Sequence, residues 1–355
     1  MTQYFILFFV ILILSKTTNG HNRKLILLST IILFFLFFAF RIGFTPDYYN
    51  YEEYFDRCHF SNLDSNGAIE IGFQWLCQIL PSYRALLIVY SALFSICIYI
   101  ALKKYIGMRY WTLAIMILFI HTPFVLGNMS GLRSSIVTCL VFIALILRVN
   151  FQKKFFPLSI GILLVSALFH RSAIVLLPLL FLPKQPFGNN AKKVIYFFAA
   201  LFVFVSIFLG SELNQLVVSI SGELFEDRYE MYAENFNQTR FNIVLLLKEM
   251  VVTILLYITL QFTQTEKNPL KNYLIKITAI SYLFMLVPQG IGLIARYQYY
   301  FAFPCILGIP YLLEESVKKT KTVYYLCLSF IAIWDMIFLF KDGINHYTEY
   351  RTILF

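Results

Sequence analysis

Charge is what this chain has least of. Only 14% of its 355 residues are Asp, Glu, Lys or Arg, against about 25% in a soluble domain. Hydrophobic residues make up 59%, and mean hydropathy is +0.73. A chain this long cannot hide so much apolar surface in one water-soluble core, so it needs lipid as solvent. Metal-type cysteine spacing is also missing. The six cysteines form no CxxC, and most sit inside apolar runs as small hydrophobes. They suggest neither a disulfide framework nor a zinc site. No internal repeat and no soluble domain stand out. The first apolar run lacks the basic flank of a signal peptide, and the chain keeps returning to apolar runs after it. The net charge of +10 is split into short clusters between those runs. One continuous basic face is lacking, which argues against a nucleic-acid partner.

Aromatic residues are plentiful, with 38 Phe and 24 Tyr, which suits buried spans and interfacial belts. Apolar runs recur near 3–15, 25–40, 84–102, 109–126, 131–148, 155–169, 171–183, 193–210, 241–262, 272–290, 297–313 and 322–340. At roughly 20 residues per span, they predict an all-α, polytopic integral membrane protein with about 10–12 transmembrane helices. Residues 1–355 read as a single membrane domain. The first, sixth and seventh runs are short enough to be re-entrant or broken helices.

Charge sidedness sets the orientation. One set of loops holds seventeen Lys and Arg against three acids, and the alternate set holds ten against fourteen. The first set is therefore cytoplasmic by the positive-inside rule. The second set, with longer loops at about 41–83 and 211–240, faces outward. Outer basic residues are nearly all Arg, whose planar fork suits phosphate or carboxylate. Some of these pair with loop acids. Others adjoin apolar runs, where a charge is costly unless paired or used. Ionisable residues within the runs include His121, Lys248, Glu249 and Asp335, all toward the outer half. Lys248 and Glu249 are adjacent and point to different faces, so they cannot simply pair with each other.

Five constellations could carry chemistry. Arg41-Ile-Gly-Phe-Thr-Pro-Asp47 leads into a helix with Thr45 as cap and Pro46 at its first position. Asp47, Tyr51, Tyr54 and Phe55 then share one face. This is either an interfacial anchor or an aromatic sugar surface with Arg41 and Asp47 beside it. Glu70-Ile-Gly72-Phe73 opens a short stretch ending at Pro81, too short to span. Glu70 is there a candidate base for a hydroxyl or a helix-start acid. Gly127-Asn128-Met-Ser130-Gly131-Leu-Arg133 is a polar patch between two runs, suited to an anion or to tight helix packing. His170-Arg171-Ser172 offers an acid, base or phosphate ligand. Arg296-Tyr297-Gln-Tyr299-Tyr300 opens a late run.

In this order the five pieces resemble the EpsG family of Wzy-type polysaccharide polymerases. The family pattern is Arg-x-x-x-Gly-x-Asp-x-x-x-Tyr, Glu-x-Gly-Phe, Asn…Arg, His with small residues, and Arg-x-x-x-Tyr. It falls on Arg41, Asp47 and Tyr51; Glu70, Gly72 and Phe73; Asn128 and Arg133; His170 and Ser172; and Arg296 and Tyr300. A tyrosine-bearing tail, Tyr347 to Phe355, also fits. Gly43 stands one position early, and Ser134 replaces the usual Gln after the mid-chain Arg, so no Gln contact is carried over.

The resemblance implies a GT-C-like membrane enzyme of the bacterial cytoplasmic membrane. It would be a metal-independent glycosyltransferase without cofactor. Its substrate would be an oligosaccharide repeat on undecaprenyl diphosphate, joined to the growing chain on the outer face. A chain-length regulator and a flippase are implied partners. Arg133 and Arg296, with Arg171, would stabilise the leaving diphosphate. Glu70, Asp47 or His170 would serve the acceptor hydroxyl. Arg41, Tyr51, Asn128, Tyr297 and Tyr300 complete the substrate-binding set. Three other readings compete. A flippase or transporter should show repeats, and a sugar O-acyltransferase should carry its motifs on cytoplasmic loops. An O-antigen ligase shares the reaction type.

Overall fold

The computed structural model describes residues 2–16, 22–60, 70–121, 123–150, 154–208, 243–262, 268–287, 296–341 and 350–352. The expected outer loop at 211–240 lies outside them, as do residues 61–69 of the other. In chain order the helices are α1 (Thr2–Lys16), α2 (Arg23–Ala39), α3 (Tyr48–Phe60), α4 (Ile71–Ile79), α5 (Tyr83–Ile100), α6 (Trp111–Ile120), α7 (Asn128–Ser130) and α8 (Leu132–Asn150). There follow α9 (Phe156–Ala167), α10 (Leu177–Leu180), α11 (Asn189–Phe208), α12 (Ile243–Phe262), α13 (Pro269–Met285), α14 (Ala302–Glu315) and α15 (Lys318–Lys341). Tight 3₁₀ turns cover Arg171–Leu176 and Arg296–Phe301. A two-residue ribbon pairs β1 (Arg41–Ile42) antiparallel with β2 (Arg351–Thr352).

Helix ends follow local chemistry. Ser82 caps α5 by accepting from the Ala85 N–H at 3.2 Å. Asn268 caps α13 by accepting from the Leu270 N–H at 2.9 Å, with Pro269 opening the helix. A wide turn at Ala101–Tyr105 prolongs α5, so that Tyr83–Tyr105 forms 23 residues of mean hydropathy 2.4. That helix and α8, at 19 residues and 2.1, are each long and apolar enough to cross a membrane. The fourth apolar run is not one helix: α6 ends at the extended backbone of His121. The second constellation forms α4, nine residues long and too short to span.

The described residues form two compact units. The first comprises 1–182, 299–310 and 335–355, and the second comprises 183–298 and 311–334. In the first unit α2 packs on α5, α8 on α9, α1 on α2 and α5 on α8. In the second α12 packs on α13. Large apolar side chains point outward in helical rows. Ile6, Phe9 and Ile13 do so on α1, and Val194, Phe197, Leu201, Phe204 and Phe208 on α11. Such contiguous exposed apolar faces belong in lipid rather than water.

The four ionisable groups named within the apolar runs each have a polar or aromatic neighbour. His121 Nδ1 lies 2.6 Å from Asp335 Oδ2 in the first unit. Glu249 accepts from Ser206, while Lys248 lies 5.8 Å from the centroid of the Trp334 ring, so the adjacent pair does diverge. Lys276 joins them, set within a late apolar run. This lysine is wholly buried in α13, donating to the carbonyls of Pro183 and Gln185, the latter at 2.6 Å. One turn earlier Asn272 donates to the Lys184 carbonyl at 2.6 Å. The two side chains together satisfy a loop that would otherwise strand its carbonyls.

Candidate functional site

The site is built where α4 and the end of α9 touch in the first unit. The N–H of Gly72 donates to the Leu168 carbonyl at 2.8 Å. A Cβ at residue 72 would lie 2.8 Å from that same oxygen, so the approach requires glycine. The contact sets Glu70, two residues before Gly72, beside His170, two residues after Leu168. His170 Nδ1 stands 3.0 Å from Glu70 Oε1. The other carboxylate oxygen accepts from Nη1 of Arg133, in the first turn of α8. Arg133 Nε donates to the Tyr51 hydroxyl at 3.3 Å, and its guanidinium lies 5.8 Å from that ring's centroid.

Electrostatics fix the protonation pattern. Burial pushes the Glu70 carboxyl upward. The His170 hydrogen bond and the Arg133 charge outweigh burial and hold the carboxyl at about 2. An ionised carboxylate only accepts hydrogen bonds. The His170 Nδ1 therefore carries the proton, and a neutral ring then presents its lone pair at Nε2. Burial raises the Tyr51 hydroxyl, which stays protonated.

Two hydroxyl pairs flank this centre. Ser130 Oγ donates to Asp47 Oδ2 at 2.8 Å and accepts from the Asp47 N–H at 3.4 Å. Ser172 Oγ and Tyr300 OH lie 2.7 Å apart, and the Tyr300 ring stands 6.5 Å from the His170 ring, centroid to centroid. Residues from four constellations (Asp47, Tyr51, Glu70, Ser130, Arg133, His170 and Ser172) thus gather with Tyr300 from the fifth. The aromatic face of α3 also forms, but Tyr48, Tyr51, Phe55 and Cys58 turn inward on it rather than lining an open surface.

Other candidates are placed differently. Arg41 is not in the charged cluster. It is 1% exposed and donates to the carbonyls of Phe38 and Met129, the latter at 2.8 Å. Asn128 is wholly buried, donating to Phe124 O at 2.9 Å and Tyr299 O at 3.0 Å and accepting from Thr138 at 2.7 Å. Each satisfies one local carbonyl and one distant one, Met129 for Arg41 and Tyr299 for Asn128, and sequence could not reveal the distant partners. Arg171 is exposed at the start of its 3₁₀ turn. Tyr297 packs against Phe284 in the second unit, ring centroids 5.7 Å apart. The Arg296 side chain lies outside what the structure describes. Ser130 and Ser172 carry more of the cluster than the sequence suggested; their signal was the small-residue turn around each. Among the described residues no three His, Cys, Asp or Glu side chains gather as metal ligands.

Outward apolar rows mark an α-helical integral membrane protein, and a partly buried ionic centre lies within its first unit. Over residues 24–352, nearly its whole length, the sequence matches the EpsG family, and the chain belongs to that family. No curated protein and no solved structure matches it.

Proposed function

We propose that this protein is a polysaccharide polymerase. In this reading it joins oligosaccharide repeats carried on undecaprenyl diphosphate, on the outer face of the bacterial cytoplasmic membrane. It would be a GT-C-like glycosyltransferase with about 10–12 spans. The observation that carries the reading is the Glu70 carboxylate bridging Arg133 and His170, in a chain of the EpsG family.

The chemistry needs a base, a charge clamp and a sugar surface. The C1–O bond between the growing chain's reducing-end sugar and its lipid diphosphate breaks. A new bond forms from C1 to a hydroxyl of the incoming repeat's non-reducing sugar. His170 Nε2 takes the proton of that hydroxyl, and Glu70 stabilises the imidazolium through Nδ1. Glu70 itself is already held as an anion and acts as the orienting group. Arg133, 22% exposed and partly spent on Glu70, reaches the departing diphosphate together with Arg171. Asp47 with Ser130, and Ser172 with Tyr300, hold sugar hydroxyls.

The test uses the native host. The gene is deleted and complemented at matched protein levels with wild type, His170→Gln or Arg133→Lys, and surface polysaccharide is run on a gel. Wild type should restore long chains. His170→Gln keeps a partner for Glu70 but supplies no base, and should leave single repeats. Arg133→Lys keeps the charge but loses the fork, and should shorten chains. If deletion spares chain length and removes only acetylation or surface export, the polymerase reading is wrong.

A further inference from the structure

Residue 350 is more than 300 positions from the chain that carries Asp47, yet the two segments are built together. Ile42 pairs with Arg351 and Arg41 with Thr352 in the ribbon. The Tyr350 ring stacks on Phe37, centroids 4.1 Å apart and planes 13° apart, and its hydroxyl donates to the Phe37 carbonyl at 2.9 Å. Its edge also meets the Phe44 ring at 5.5 Å.

What the ribbon holds is an unfavourable turn. Gly43 and Phe44 both adopt left-handed backbone, with φ of 64° and 72°. Glycine does so freely, but a buried phenylalanine does not. Such a turn persists only where neighbours over-determine it. Here they do: Phe44 is fully buried, Tyr350 covers it, and Arg84 donates to the Arg41 carbonyl at 2.6 Å. Arg41 in turn ties to the Met129 carbonyl, one residue before Ser130. Three residues past the turn, Asp47 meets Ser130 from both its N–H and its carboxylate. One helical turn further on, Tyr51 meets Arg133.

We propose that residues 350–352 are a positioning clasp for the reaction site. By pinning β1 they fix the left-handed turn at 43–44, and the turn sets Asp47 and Tyr51 against Ser130 and Arg133. Tyr350 and Arg41 are then positioning residues that touch no substrate. The proposal rests on the polymerase reading for its effect on turnover, but not for its effect on geometry.

Two readouts separate these. In an Asp47→Cys/Ser130→Cys protein, the rate of oxidative cross-linking reports how well the two positions are held together. Adding Tyr350→Ala should slow that cross-link about tenfold, while Tyr350→Phe, which keeps the stacked ring, should leave it nearly unchanged. In otherwise wild-type protein extending purified lipid-linked repeats, Tyr350→Ala should lower kcat roughly 10–100-fold with KM little changed, as expected for a misplaced constellation. An Ile42→Cys/Arg351→Cys disulfide placed across the ribbon should recover kcat in the Tyr350→Ala background, and reduction should abolish the recovery. Unaltered cross-linking with Tyr350→Ala overturns the clasp, as does an unaltered kcat where wild type is active. A wild type that extends no chains, with cross-linking still dependent on Tyr350, sinks the polymerase reading and leaves the clasp standing.

Discussion

Arg133 and Glu70 sit with side chains only 22% and 10% exposed, so each compensates the other's charge where little water can. Removing one partner of a buried pair leaves an uncompensated ion, at a cost of about 3–5 kcal/mol. Arg133→Ala and Glu70→Ala should therefore each lower thermal stability in detergent. The double variant should lose less than their sum, by about 0.5–3 kcal/mol. Strict additivity would show that the two charges are not coupled. The pH dependence has a definite sign. The Glu70 carboxyl is depressed, so its stabilisation is complete above the ordinary value of 4.5 and fades as pH falls toward about 2. The stability gap between wild type and Glu70→Gln should still be present at pH 5 and close only as pH falls toward about 2. A gap already closed at pH 5 would refute the assignment of Glu70 as the fixed anion.

At the scale of elements, the approach of α4 to α9 holds Glu70 and His170 together. Gly72→Ala would force a methyl group to within 2.8 Å of the Leu168 carbonyl oxygen. It should cost about 1–3 kcal/mol and reduce chain extension as His170→Gln does. Gly161, on α9, provides the contrast, because nothing lies within 4 Å of a Cβ there. Gly161→Ala should be neutral or stabilise by up to about 1 kcal/mol and leave extension unchanged. Equal effects at the two glycines would remove α4–α9 packing from the account. Much of this level was legible in advance. The run at 84–102 became a helix from Tyr83 to Tyr105, and the run at 131–148 became Leu132 to Asn150. The short α4 was visible as an apolar stretch stopped by Pro81. The break at His121 also had a mark, because Thr122 and Pro123 follow it in the sequence and a proline biases the chain before it away from helix.

For the molecule as a whole, orientation is the quantity to measure. The lysine-rich loops should face the cytoplasm and the charged cluster should face outward. The six native cysteines are all buried, so introduced cysteines report cleanly. An impermeant maleimide should label Tyr49→Cys or Trp75→Cys on intact cells, and Lys154→Cys or Lys318→Cys only after permeabilisation. All four residues are exposed. The reverse pattern would put the site on the wrong side for a flipped, lipid-linked substrate.

The sequence by itself determined the solvent, the helical class and which residue types were available for chemistry. Hydrophobic content and periodic apolar runs act locally, and each run can be read without the others. The tertiary structure alone decided which of those residues meet. Asp47, Glu70, Arg133, His170 and Tyr300 come together through a glycine contact, a strained turn and a ribbon closed by residues 350–352. The same packing sent Arg41 and Asn128 inward to stranded carbonyls. Those partners lie tens to hundreds of residues away, so no local pattern encodes them.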